Sequence, residues 1–370
     1  MKQLILEWLR RVIRIPGAVY RRSIAIPIQI VSLVKTGSMC SSKVIIFLLP
    51  GYEHVCGGIL SIFNLYRFSC ELSAVHNSKV LMCFYPGQGK GKWRYQSVDG
   101  SITIYPFWLI LATCLQLTQM QLHVPEYALQ GIVERLGRRR LTRLRLVRGI
   151  NINILNQNIL LNPPDAFIKS LREQLPELTC TTAHPSYSTM QFRRKWGIPV
   201  HHLPAWTYPN DPVANGYEEK RDLLIVSPDP SPHREAVLRK ITTALPQLQM
   251  QIIENMPFEK YLQLAQVAKW SLTFGEGLDD YFIGTFFRGG VGFAVFNQEF
   301  FTSEFKGLRT VYSDWETLDA RIIGEIESLD NKEAMESYSA QVRFLITQTW
   351  SYDRTRSALR EFYQGNFTLP

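Results

Sequence analysis

The chain lacks any uninterrupted apolar run long enough to cross a bilayer. Its longest, Phe107 to Leu115 with Thr113 inside it, falls far short of the about 18 to 20 residues of a spanning helix. Paired cysteines are missing too. Cys40, Cys56, Cys70, Cys83, Cys114 and Cys180 are scattered without C-x-x-C spacing, which excludes a disulfide scaffold or cysteine zinc site and suits reduced thiols. There is no P-loop or dinucleotide fingerprint, no Asp-x-Asp metal motif, and no repeat of solenoid length. What remains is 370 residues, 46% of them hydrophobic and 20% charged. Such a chain is too apolar to be disordered and long enough for two domains, each with a core.

The net charge of +9 is unevenly placed. Residues 1–38 carry Lys2, Arg10, Arg11, Arg14, Arg21, Arg22 and Lys35 against Glu7, and residues 134–148 carry seven arginines against Glu134. The remainder of the chain is therefore net acidic, and anionic partners belong near these two patches. In the first, Ile5, Trp8, Leu9, Val12 and Ile13 recur at helical spacing opposite the basic residues, ahead of Pro16. That pattern predicts an amphipathic helix, either lying on an anionic membrane surface or docked on its own domain. The interrupting arginines argue against a secretory signal. The second patch alternates leucine with arginine and has no aromatic residue to stack on bases, so nucleic acid is not the favoured partner. A solvated face, or one turned to a membrane or phosphate-bearing acceptor, fits it better.

From Lys43 onward, short apolar runs alternate with amphipathic helical stretches, the pattern of βαβ units on a parallel sheet. The expected strands are 44–49, 80–85, 101–105, 122–124, 152–155 and 178–182, with helices from Ile59, over 109–119 and over 165–175. Residues 207–220, rich in Pro, Asn, Gly and Asp, read as a linker. A second wound unit follows, with strands 223–226, 250–253, 270–274 and 292–295, helices 234–245 and 258–268, and a helical closing region over 332–363.

In open α/β sheets, ligands bind at the carboxyl ends of strands. Three loops stand there. The first holds Glu53, His54, Gly57 and Gly58, with His54 a candidate acid or base and the glycines allowing close backbone approach. The second is Ser227 to Glu235, where His233 and Arg234 meet a helix start as a candidate diphosphate clamp. The third, Phe274-Gly-Glu-Gly-Leu-Asp-Asp-Tyr281, holds Glu276 between Gly275 and Gly277 as an acceptor for ligand hydroxyls. Each has a plainer reading as a tight turn, a proline-stiffened turn and a solvated loop.

The Gly275-Glu-Gly-Leu278 loop, a short helix and the Gly289-Gly-Val-Gly-Phe-Ala-Val295 strand entry resemble the donor domain of GT-B glycosyltransferases. Bacterial enzymes of capsular and surface polysaccharide synthesis, rhamnosyltransferases among them, are especially similar. The Gly57-Gly58 loop resembles that fold's first loop, and residues 122–126, 154–157 and 181–184 resemble its strand ends. The resemblance implies two doubly wound Rossmann-like domains facing a cleft: a basic segment over 1–38, an acceptor domain over 39–206, the linker, a donor domain over 221–345 and a helical tail over 346–370. It implies a metal-independent transfer of a sugar from a nucleotide diphosphate donor, dTDP- or UDP-linked, to a glycan or lipid-linked acceptor. The setting would be the cytoplasmic face of the membrane, with no further cofactor. Its site would comprise Glu53, His54 and Glu276 as catalytic candidates. Gly57, Gly58, Ser227, His233, Arg234, Gly275, Gly277 and Tyr281 would lie around the donor, with His184 toward the acceptor. Retaining members pair two glutamates separated by seven residues; here the second position is Gly284. The rival class is a non-enzymatic protein that binds nucleic acid or another anionic polymer through its basic patches.

Overall fold

A computed structural model describes residues 31–33, 41–50, 56–85, 100–113, 117–134, 149–175, 177–208, 212–254 and 256–370. Glu53, His54, nearly all of the basic segment and nearly all of the arginine cluster lie outside the described residues.

The first sheet contains β1 (Lys43–Pro50), β2 (Lys79–Tyr85), β3 (Ile104–Pro106), β4 (Gln119–Pro125), β5 (Gly149–Asn156), β6 (Leu178–Thr182) and β7 (Val200–His202). Their spatial order is β3-β2-β1-β4-β5-β6-β7, and the β3–β2, β2–β1, β1–β4 and β4–β5 pairs are parallel. Buried strands need apolar residues on both faces, and Val44 to Leu49 are all buried. A polar thread crosses this core. Buried His123 stacks on Phe47, centroids 4.5 Å apart, and meets Asn153 at 3.0 Å, while Asn153 accepts from Thr179 at 3.1 Å.

The second sheet contains β8 (Arg221–Val226), β9 (Gln249–Ile252), β10 (Ala268–Leu272), β11 (Val291–Val295) and β12 (Val311–Tyr312). It is parallel throughout, in the order β12-β11-β10-β8-β9. The first and third strands of this sheet in chain order, β8 and β10, are therefore neighbours. The strand order reverses between them, and their carboxyl ends form the place where a doubly wound sheet opens a crevice.

Helix boundaries follow capping chemistry. Asp314 accepts from Thr317 N at 2.7 Å to start the helix Trp315–Leu329, and Asn331 accepts from Ala334 N at 3.0 Å ahead of Lys332–Thr347. Ser351 does the same for Tyr352–Gln364. Some sequence expectations need correction. The strand expected from Ser101 begins at Ile104, and the helix expected over 109–119 spans Phe107–Thr113, with Gln119 already in β4.

The described residues of Met1–His54, Tyr66–Asn156 and Leu160–Cys180 gather into one compact unit, and those of Val55–Leu65, Gln157–Ile159 and Thr181–Pro370 into a second. Among the described residues no helix is long and apolar enough to cross a membrane.

Candidate functional site

The loops leaving β8 and β10 are tied together. Ser227 is buried; its amide donates to the Leu272 carbonyl at 3.0 Å, and its Oγ accepts from Phe274 N at 2.9 Å. Beyond this tie, Asp229 lies against Gly275, where an added Cβ would stand 2.7 Å from the Asp229 carboxylate. A side chain at 275 would have to displace that carboxylate. Gly277 has φ +85, and a Cβ there would stand 2.8 Å from the Val295 carbonyl, so a side chain would meet both strain and a clash.

Between these glycines stands Glu276, partly buried, accepting a hydrogen bond from Asn158 Nδ2. Both residues belong to the second unit. Burial pushes the Glu276 carboxyl up to about 7; the Asn158 bond opposes the rise and the Asp229 charge adds to it. Asp279 caps the helix Asp280–Phe287 by accepting from Phe282 N at 3.1 Å, and it also accepts from the Thr273 hydroxyl. Burial raises it to about 8 against those bonds, with Glu276 and Asp229 adding to the shift. Glu276 thus stands at a sheet's carboxyl edge, poised to ionise near neutrality, which is where a proton-handling or hydroxyl-binding carboxylate belongs.

Next to Asp279, Asp280 is fully engaged by the chain. Its Oδ1 accepts from Tyr208 OH and, at 3.1 Å, from Thr207; its Oδ2 accepts from Tyr261 OH at 2.9 Å. The buried Arg288 guanidinium lies 4.8 Å from the Tyr208 ring centroid. These groups enclose Gly284, where a Cβ would stand 2.5 Å from Tyr208 OH and 2.9 Å from Arg288 Nη1. The position that lacks the second glutamate is filled by this cluster.

Arg234 begins the helix Arg234–Ala244. Its Nη1 donates to the Pro228 and Asp229 carbonyls at 3.0 and 3.4 Å, and Nη2 reaches Glu254 at 3.5 Å. The arginine therefore braces the loop that follows β8. His233 contributes a ring: it stacks on Trp315 with centroids 5.5 Å apart, and Trp315 stacks on Phe274 at 5.0 Å. Tyr281 packs edge-on against Tyr261, and burial holds its phenol neutral.

Gly57 and Gly58 open the helix Gly57–Glu71, and Gly58 lies against the Gln157 side-chain oxygen. His184 is buried among Tyr187, Phe300 and Trp350, all rings of the second unit, and desolvation lowers it to about 3. The structure thus brings Ser227, Gly275, Glu276, Gly277 and Tyr281 to one strand-end region with the Arg234 loop, and sets His184 in an aromatic core. Sequence reasoning missed Asn158, Trp315, Tyr208 and Asp280's partners. Asn158 is 118 residues from Glu276 in the chain, so no local pattern could pair them.

No protein-family model matches the chain, and no curated protein matches it by sequence. Solved structures do match. An alpha-glucosyltransferase in complex with UDP and a DNA 13-mer containing an HMU base superposes with a TM-score of 0.56 at 10% identity, covering 87% of this chain and 99% of that one. The Anabaena protein HepE in complex with UDP-glucose gives 0.55 at 10% identity, with coverages of 87% and 99%. A trehalose-6-phosphate synthase gives 0.51 at 9%, with coverages of 88% and 98%. By its parallel sheets and these neighbours, the chain has the GT-B fold of two Rossmann-like α/β units.

Proposed function

We propose that this protein is a glycosyltransferase that takes a sugar from a nucleotide diphosphate donor. The observation that carries the reading is Glu276, held beside the required Gly277 at the strand-order reversal, with burial raising its ionisation to about 7. The fold adds to it, since matching structures hold UDP or UDP-glucose, although fold by itself never fixes chemistry. In this reading Glu276 accepts hydrogen bonds from sugar hydroxyls at the crevice, and the braced loop of Ser227 to Arg234 receives the diphosphate. Arg234 turns its guanidinium to the charge that develops on the leaving group, exchanging its weak, solvent-facing contact with Glu254 for the phosphate.

The finer reading is transfer of a hexose or deoxyhexose, rhamnose among the candidates, to a glycan or lipid-linked acceptor in surface polysaccharide synthesis. The acceptor would be met at the cytoplasmic membrane face through the basic residues of 1–38. The amphipathic pattern and local charge of that segment support it.

A thermal-shift panel of UDP, GDP, dTDP and oligonucleotides tests the core of the proposal. Stabilisation by one nucleoside diphosphate, persisting in EDTA, is expected. Stabilisation by oligonucleotides alone would favour the binding-protein alternative. For the membrane part, deleting residues 1–38 should abolish sedimentation with anionic vesicles; equal binding by the shortened and full chains refutes it.

A further inference from the structure

A wide-open surface cavity of about 590 Å³ lies in the second unit, lined by none of the residues assigned above to the donor. It opens between the turn at Gly307 to Arg309, just before β12, and the first turns of the helix Lys332–Thr347. Its polar lining comprises Arg309, Asn331, Glu333, Ser337, Tyr338 and Gln341.

Arg309 is fixed before any ligand arrives. Nε donates to Glu325 at 2.7 Å, Nη2 to Ser328 Oγ at 2.7 Å, and the guanidinium lies 5.8 Å from the Tyr338 ring centroid. Tyr338 is itself held by Thr310, 3.0 Å from its hydroxyl. The other Glu325 oxygen accepts from Arg321 at 2.9 Å. One carboxylate is thus shared by two arginines, which leaves that trio one positive charge, with Glu333 the acidic group of the lining. Among the described residues, Nη1 of Arg309 has no hydrogen-bond partner. An arginine immobilised on one edge and open on the other loses little entropy when it binds an anion. Gly307, at φ +85 with no atom within 4 Å of a would-be Cβ, leaves the mouth open.

We propose that this cavity is a second ligand site, for a small hydroxylated anion of the sugar-phosphate class. The volume suits a ligand of that size. The guanidinium edge takes the phosphate, and Asn331, Ser337 and Gln341 supply amides and hydroxyls for the sugar. Glu333 accepts from sugar hydroxyls, which only the ester brings, so the site favours the ester over the free ion.

Calorimetric titration of the full chain with glucose 6-phosphate, glucose and inorganic phosphate tests this. The ester should bind with a Kd below about 1 mM, and glucose and phosphate at least about tenfold more weakly. Arg309→Lys keeps the charge beside Glu325 but loses the fork, and should weaken the ester about tenfold or more. Ser337→Trp, at an exposed helix position, should block the cavity and abolish binding with the melting temperature retained. UDP affinity should be unchanged in both variants, which separates this site from the donor reading. No binding of the ester up to about 10 mM, inorganic phosphate binding as tightly as the ester, or variants that bind like the wild type would each overturn the proposal.

Discussion

At the scale of single residues, Glu276 is where burial and chemistry meet. Replacing it with Gln keeps shape and the capacity to meet Asn158 but removes the ionisation near 7. Turnover should fall about ten- to a hundredfold, the loss expected of one charge-assisted contact. The wild-type rate should show a pH step near 7 that the Gln variant lacks; a variant retaining that step would assign the ionisation elsewhere. Arg234→Ala should weaken a nucleoside diphosphate by a similar factor and a monophosphate hardly at all, read by calorimetry. The sequence made Glu276 legible because a carboxylate between two glycines after an apolar strand has little structural reason to be there. It could not show Asn158, whose partnership exists only through long-range folding, nor that Arg234 commits its guanidinium to backbone carbonyls.

At the scale of elements, the helix 280–287 is pinned by its first residue. Asp280 collects hydroxyls from Thr207, Tyr208 and Tyr261, joining the 207–208 stretch and the helix Phe258–Val267 to one carboxylate. Tyr208→Phe removes one of these donors and should cost about 1.5–3 kcal/mol in urea unfolding. Gly284→Glu, which would restore the second glutamate of the related pattern, should destabilise the protein by at least as much, because Tyr208 and Arg288 occupy that space. If the Gly284→Glu protein were as stable as wild type, the cluster would be shown to yield. Strands were the readable elements: continuous apolar runs mark β1 and β2 nearly to their ends and the last four residues of β8, and β-branched threonines mark β6. The two-residue β12 is too short to show any pattern. The helix 315–329 did have a signal, Asp314 at its cap and Leu318, Ile322, Ile326 and Leu329 buried at helical spacing. Tyr208's role was hidden because it sits in a stretch without apolar periodicity, where the sequence shows turns and nothing of what they pack against.

For the whole molecule, buried titratable groups in both units set how stability responds to acid. Desolvation lowers His123 and His184 to about 3 and His202 to about 4, so all three fold in the neutral form. Between pH 6.5 and about 4.5 the unfolded chain protonates them and the folded chain does not, which favours unfolding as pH falls. Glu276 and Asp279 act oppositely. Their folded values, about 7 and 8, lie above the unfolded ones, so in the same window the folded state holds two protons that the unfolded state lacks. Burial lowers His76 and His201 as well, so the histidines outweigh the two carboxylates and stability falls on acidification, each uncompensated proton contributing about 1.4 kcal/mol per pH unit. Urea unfolding at intervals across this window should show that fall. Glu276→Gln removes one opposing proton and should steepen the slope by about 1.4 kcal/mol per pH unit, whereas His184→Gln should make it shallower by the same amount. Identical slopes in the three proteins would mean that these groups do not hold their protonation states in the fold, and would withdraw the raised Glu276 ionisation on which the proposed site depends.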